Sequence, residues 1–269
     1  MEFKLGRKPS PPDERDWSSN KIHDFIKTRK SSELDTDQTV GDAAKSMTSW
    51  YDVLHFASLL WAWIKANIIN RPPSPTPSPE PPQYHLWSDY VVLDQGNYGT
   101  CVGNAGAGWL ASEPEIDQNV DEALARKLYY ETTCIDGACD STYQDGATVR
   151  SLAKALKNRG RLSAYAFAQN MDEIDEWLDN HGTVVLGTDW TNDMFDPDAD
   201  GIVHPTGSIA GGHAYLLRYR EPNTTLYHCR NSWGESWGKN GDFFIEKEDL
   251  NKLIFLMNGE ALLSAELPL

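Results

Sequence analysis

The chain has 269 residues, a formal net charge of −16 and a pI near 4.7. Its length and ordinary apolar content suit one sizeable two-lobed domain or two small ones and exclude disorder throughout. The acidic balance disfavours nucleic acid and anionic membranes as partners, and the short basic cluster Lys27, Arg29, Lys30 reads as a solvated helix end.

The opening Met-Glu-Phe-Lys-Leu-Gly-Arg-Lys lacks the continuous apolar core of a secretory signal, so cytoplasmic residence is the expectation. Residues 1–38 are polar, with one short helix predicted around Ile22–Thr28. From Asp42 the pattern changes. Met47, Trp50, Tyr51, Leu54, Ala57, Trp61, Ile64 and Ile68 recur at helical spacing, and Val53, Phe56, Leu60 and Trp63 widen the stripe. Lys45, Asp52, His55 and Lys65 leave no uncharged run near the ~18 residues of a bilayer crossing, so this 42–69 helix is expected to pack on the rest of the chain. Docking on a partner protein or covering a cleft are the sharper alternatives. Residues 71–82, Arg-Pro-Pro-Ser-Pro-Thr-Pro-Ser-Pro-Glu-Pro-Pro, are too proline-dense for helix or sheet and form an extended linker. The expected division is therefore an N-terminal extension over 1–70, a linker over 71–82 and a chemistry-bearing domain over 83–269.

Within that domain, helices are predicted over Cys101–Ser112, Val120–Tyr130, Thr148–Arg159 and Met171–Asn180, the last two ending near Gly160 and Gly182. Strands follow at Thr183–Leu186, Ala214–Tyr219, Leu226–Arg230 and Phe243–Glu246. Helices first and strands later indicate an α+β fold with segregated halves. The four cysteines, Cys101, Cys134, Cys139 and Cys229, form no disulfide scaffold and no CxxC zinc pair; Cys134 and Cys139 are expected to be free thiols, the alternative being a small local loop that they close in an oxidising compartment.

Three strings carry chemistry. In Asp94-Gln95-Gly96-Asn97-Tyr98-Gly99-Thr100-Cys101, a glycine-containing turn delivers a thiol to a helix N-terminus, where unsatisfied amides and the macrodipole favour thiolate. In Ala210-Gly211-Gly212-His213-Ala214, a histidine enters an apolar strand after two glycines that permit close backbone approach. In Asn231-Ser232-Trp233-Gly234-Glu235-Ser236-Trp237-Gly238, an amide oxygen is available to fix an imidazole tautomer, with Trp233 as an indole roof that excludes water.

Over roughly residues 83–250, these strings, in the order Cys, His, Asn, resemble the papain-like cysteine peptidases. The resemblance implies a two-lobed fold, helical lobe plus β-barrel-like lobe, with the active-site cleft between. It makes Cys101 the nucleophile, His213 the base, Asn231 the orienting amide and Gln95 the oxyanion-hole side chain, with Gly99, Gly211, Gly212 and Trp233 in supporting positions. The implied substrate is a protein or peptide, and no metal or organic cofactor is called for. Tyr98 stands where many secreted members carry a disulfide cysteine, Val102-Gly103-Asn104 replaces the usual aromatic after the nucleophile, and Asp242 stands where a tyrosine is common. These departures resemble the bacterial and phage-type branch, as does Pro9–Trp17, which is similar to the opening of such domains; on that reading 20–82 is an insertion near the domain start.

Asp196-Pro197-Asp198-Ala199-Asp200-Gly201 copies the first half of an EF-hand loop, but Gly207 occupies the twelfth position, so it is read as an acidic surface loop near the cleft. Two other functions are kept beside the peptidase: a Cys-His amidase acting on cell-wall peptides, and a catalytically silent interaction protein, in the virion or its assembly, docking through the 42–69 helix.

Overall fold

The computed structural model describes residues 3–11, 13, 18–34 and 84–266. The apolar 42–69 stretch and the proline-rich 71–82 linker lie outside them, as do parts of Pro9–Trp17. The chain divides into two units, Met1–Asp24 with Tyr84–Leu269, and Phe25–Gln83. Of the second, only the helical residues 25–34 are described.

In chain order the elements are β1 (Arg7–Lys8), α1 (Ser19–Leu34), α2 (Cys101–Leu110), α3 (Glu122–Ile135), β2 (Ala147–Thr148), α4 (Val149–Asn158), β3 (Leu162–Phe167), α5 (Met171–Asn180), β4 (Val184–Thr191), β5 (Ile209–Arg220), β6 (Leu226–Arg230), β7 (Asp242–Glu246), α6 (Lys247–Asn251) and β8 (Glu260–Glu266). Helices precede most of the strands, as the α+β expectation has it. The main sheet is wholly antiparallel in the order β3-β8-β4-β5-β6-β7. β1 pairs in parallel with β2 in a separate two-stranded ladder.

The helix starts are chemically capped. Asp121, Thr148 and Asn170 accept from the backbone N–H of Leu124, Ser151 and Glu173 at 2.8, 3.2 and 3.0 Å, which begins α3, α4 and α5. α2 is different: every residue of Cys101-Val102-Gly103-Asn104-Ala105-Gly106-Ala107-Gly108-Trp109-Leu110 is buried, and no side chain caps it. Its glycines let the other helices close on it. A Cβ on Gly103 would meet the Ala125 carbonyl oxygen of α3 at 2.4 Å, and one on Gly106 would meet Leu152 of α4 at 2.5 Å.

Several elements exceed or escape the sequence expectations. The short helix at Ile22–Thr28 is part of the longer α1. β4 runs through Gly187 to Thr191, because a Cβ at Gly187 would strike Val149 at 2.8 Å and the glycine lets the strand pass. β3 and β8 were not foreseen. Cys134 and Cys139, expected as free thiols, are joined in a disulfide. Gly137 and Cys139, at φ +91° and +48°, turn the chain back after α3 and bring the two sulfurs together.

A buried ionic cluster fastens the sheet end that carries Asn231. Asp89 lies 3.3 Å from Arg218 and 3.0 Å from Arg230; Asp242 lies 3.3 Å from Arg218, 2.7 Å from Arg230 and 3.2 Å from His228. Arg218 also donates to the Trp87 carbonyl at 3.3 Å.

At the end of β8, burial pushes the Glu266 carboxyl up to about 8, against the N–H of Glu115, which donates to it. A folded-state value raised from 4.5 gives stability that is complete below about 4.5 and is lost as pH rises through 8. Glu266→Gln keeps an acceptor for Glu115 and removes the ionisation. It is expected to match wild type in unfolding free energy from urea titration at pH 4.5 and to exceed it at pH 8.5 by on the order of 2 kcal/mol. Equal free energies at pH 8.5 would contradict this.

Candidate active site

Three local structures deliver the predicted residues. The Asp94–Thr100 turn, in which Gly96 donates to the Asp94 carboxylate at 2.8 Å, places Cys101 as the first residue of α2. His213 lies within β5, opposite Thr188 of β4. Asn231 leaves the end of β6 with its N–H on the Gly241 carbonyl at 2.9 Å. Turn and loop are stitched together, since Gln95 N–H donates to the Ser232 carbonyl at 2.9 Å and Gly234 N–H to the Leu93 carbonyl at 3.1 Å.

His213 Nε2 and Asn231 Oδ1 lie 2.8 Å apart, and the Ser232 N–H also donates to that oxygen at 2.7 Å. An amide oxygen held in this way accepts an N–H from the ring, so Nε2 is the protonated nitrogen and Nδ1 is the free acceptor. Trp233 stacks on the imidazole at 4.7 Å with an interplanar angle of 27°, and Trp190 of β4 meets it edge-on at 4.9 Å. Ser232 Oγ donates to Gln95 Oε1 at 2.8 Å, which turns Gln95 Nε2 toward the cleft. The thiol of Cys101 sits beside the backbone of Ala214, the residue after His213. Thus the four expected site residues and Trp233 converge. Gly211 and Gly212, beside His213 in β5, line a pocket of about 740 Å³, and Gly99 and Gly146 close on Gly6.

Residues Phe3–Lys8 run across the site as an extended strap and form one wall of that pocket. Gln95 Nε2 donates to the Lys4 carbonyl oxygen at 2.8 Å as well as to that of Tyr98 at 2.7 Å. Phe3 stacks on Trp233 at 4.4 Å. The Gly6 carbonyl accepts from Ala147 N–H at 2.8 Å. The fit depends on glycine against glycine: a Cβ on Gly6 would meet the Gly99 oxygen at 2.0 Å, one on Gly146 the Gly6 oxygen at 2.3 Å, and one on Gly212 the Arg7 oxygen at 2.3 Å. The buried Arg7 side chain anchors the strap through Glu260 at 3.0 Å and the Asn258 carbonyl at 2.9 Å. Beyond it, Ser10 accepts from Arg150 N–H at 3.1 Å and Asp13 pairs with Lys154 at 3.2 Å, so the segment follows α4.

This occupancy sets the electrostatics. Cys101 and His213 are both fully buried. Burial pushes the Cys101 thiol up to about 11, against neighbouring backbone groups of Ala214, Gly6 and Val102 that favour thiolate. Burial also brings His213 down to about 4, against the Asn231 contact that favours imidazolium. With the strap seated, both groups are neutral at pH 7.

The pattern described as papain family cysteine protease matches residues 92–256, more than half of the chain, and spans all four site residues. The chain belongs to the papain family of cysteine proteases. Among curated papain-family relatives, cathepsin B-like cysteine proteinase 4 of Caenorhabditis elegans is 34% identical over 85 residues, covering 31% of this chain and 25% of its own. The viral cathepsin of Adoxophyes honmai nucleopolyhedrovirus is 23% identical over 216 residues, covering 67% of this chain and 62% of its own. The chain therefore spans between a quarter and about three fifths of these relatives. Xylellain, a cysteine protease from Xylella fastidiosa, superposes with a TM-score of 0.59 at 17% identity over 98% of this chain and 96% of its own. ProCathepsin B S9 from Trypanosoma congolense gives 0.52 at 13%, over 69% and 78%. Both support the papain-like two-lobed α+β fold.

Sequence reasoning passed over three contributors. Ser232, which orients both Asn231 and Gln95, stood in the quoted string but without a role. Trp190 shares the inward face of β4 with Thr188, a signal visible only once the strand is extended past Gly187. The strap carries no apolar period at all. The acidic loop at Asp196–Gly201 is self-capped, Asp198 accepting from Asp200 and Ile202 N–H at 2.9 Å each and pairing with His204 at 3.1 Å. Among the described residues no helix is long and apolar enough to cross a membrane.

Proposed function

We propose that the chain is a cysteine peptidase that hydrolyses peptide bonds through Cys101, His213 and Asn231, with Gln95 at the oxyanion, and that residues 3–8 hold it latent. The observation that carries this reading is the Gln95 side chain donating to the carbonyl oxygen of Lys4, because a peptide carbonyl is already received where an oxyanion would form. In the open site, His213 takes the Cys101 proton at Nδ1 and the thiolate attacks a substrate carbonyl carbon. The C–O π electrons move to oxygen, which Gln95 Nε2 and the α2 N-terminal amide stabilise. As they return, the C–N bond breaks and His213 gives its proton to the leaving amine. Water, deprotonated by the same nitrogen, then cleaves the thioester and restores the thiol. Asn231 and Trp233 hold the ring in one tautomer throughout.

Proteins and peptides are the proposed substrates. The bacterial and phage-type assignment is carried forward as part of the proposal, resting on Tyr98 and on Val102-Gly103-Asn104. We also propose the 1–70, 71–82, 83–269 division, with the 42–69 helix packed on the catalytic domain and docking on a partner as the alternative. The Cys134–Cys139 disulfide favours an oxidising compartment over the cytoplasmic location expected from the sequence.

The test is labelling with an epoxide directed at papain-like enzymes, with mass mapping of wild type, Cys101→Ala and His213→Ala. Modification confined to Cys101 and dependent on His213, together with turnover of a peptide library, is the expected result. A folded protein that takes no label, even after the strap is removed, would overturn the peptidase and favour the interaction protein. Hydrolysis of cell-wall peptides but of no ordinary peptide would favour the amidase.

A further inference from the structure

We propose that His23, Glu176 and His181 form a binding site for a divalent transition-metal ion of zinc's class, joining the start of α1 to the end of α5. None of these residues belongs to the active site, and the inference does not depend on the peptidase reading.

His23 Nε2 lies 2.7 Å from one Glu176 carboxylate oxygen, and His181 Nε2 lies 3.8 Å from the other. One donor atom from each of the three residues falls within 4.8 Å of the other two. Ligands around a tetrahedral zinc ion with bonds of ~2.0–2.1 Å stand about 3.4 Å apart, so these separations bracket the requirement and small rotamer adjustments meet it. The donor set also chooses the metal. Two imidazoles and one carboxylate suit zinc, cobalt, nickel or copper, whereas calcium and magnesium want oxygen ligands throughout.

The side chains are already oriented. His181 ends α5, its N–H on the Trp177 carbonyl at 2.8 Å, and its ring packs on Trp177 at 4.6 Å. His23 meets the same indole edge-on at 5.6 Å, and the two imidazoles face each other at 5.1 Å. Trp177 therefore acts as a common wall that restrains both rings. A simple hydrogen bond between His23 and Glu176 accounts for the 2.7 Å contact, but it gives no reason for the second imidazole to turn its Nε2 to the remaining carboxylate oxygen. Both histidines have side chains only 14–15% exposed, while Glu176 is 47% exposed, leaving an outer face for a water ligand and for metal entry.

The experiment uses the full chain carrying Cys101→Ala, which removes the expected nucleophilic thiol as a rival ligand. After EDTA treatment it is titrated with Zn²⁺ alone by calorimetry and with Co²⁺ alone by visible absorption. The expected result is one equivalent of zinc, a bound cobalt ion that zinc displaces in competition, a cobalt spectrum without thiolate charge transfer, and a higher melting temperature with metal. Glu176→Gln, at a half-exposed position, and His181→Gln are each expected to weaken zinc binding at least about tenfold and to abolish the melting shift. No stoichiometric uptake by the parent, unchanged affinity in both variants, or a cobalt spectrum dominated by thiolate would each overturn the site.

Discussion

Gly6→Ala is expected to raise the rate of Cys101 alkylation at pH 7 at least about thirtyfold. The added methyl has nowhere to go: its carbon would sit 2.0 Å from the Gly99 carbonyl oxygen, a backbone atom that cannot rotate aside. The strap must therefore lift, and water reaches the thiol. A thiol at about 11 is ionised to about one part in ten thousand at pH 7, whereas one near the free-cysteine value of ~8.5 is ionised to a few per cent, a gain of roughly three hundredfold. The less basic thiolate is a weaker nucleophile, which returns about tenfold of that gain. Relief of steric blockage, and any stabilisation of thiolate by the start of α2, add to the remainder. The measurement is the rate of iodoacetamide incorporation at Cys101 across pH 6–9 for wild type, Gly6→Ala and a chain lacking residues 1–8. Both variants should show a lower apparent thiol pKa. Equal rates and equal pKa in all three would mean that the strap does not control the thiol.

Arg218→Met is expected to destabilise the fold by about 3–5 kcal/mol, far beyond the effect of Arg220→Met. Arg218 is shared by Asp89 and Asp242, whose side chains are 2% and 12% exposed. Removing it leaves Asp89 to Arg230, leaves Asp242 to Arg230 and His228, and strips the Trp87 carbonyl of its donor. Burial already raises the Asp89 carboxyl above its ordinary value despite the two arginines, so little reserve exists for losing one of them. Arg220 instead pairs with Asp175 and Asp179 at a wetter site, and its loss should cost about 1 kcal/mol. Urea unfolding of both variants checks the contrast. Because the lost term is an uncompensated charge, the double variant Asp89→Leu with Arg218→Met should regain part of the stability. A double variant as unstable as the sum of its parts would place the effect in lost packing instead.

The candidate site was legible because its chemistry is written in short strings. Gln95 and Cys101 share one turn, His213 follows its own two glycines, and Asn231, Ser232 and Trp233 are consecutive, so local order in the chain already groups what the fold then brings together. The helices α2 to α5 were legible for a similar reason, their caps and apolar periods being local. What escaped was fixed at long range. β8, Glu-Ala-Leu-Leu-Ser-Ala-Glu, consists of good helix formers and becomes a strand by pairing with β3 and β4. β3 is built of serine and alanine between larger residues and gives a weak strand signal. The strap reads as polar coil; its conformation is dictated by Gly99, Gly146, Gly212 and Glu260, all distant in the chain. The same distance hid the pairing of His23 with Glu176 and His181.

The position of β8 bears on the order of events during synthesis. β8 follows every other strand in the chain yet lies inside the sheet, between β3 and β4. Cys101, His213 and Asn231 are all synthesised before residues 247–266, and until β8 is available β3 has no neighbour in the main sheet and β4 has one open edge. Asn258 and Glu260, the anchors of Arg7, arrive in that same last stretch. Completing the sheet and anchoring the strap therefore draw on the same short stretch, so a nascent chain that can close its sheet already carries the residues that latch it.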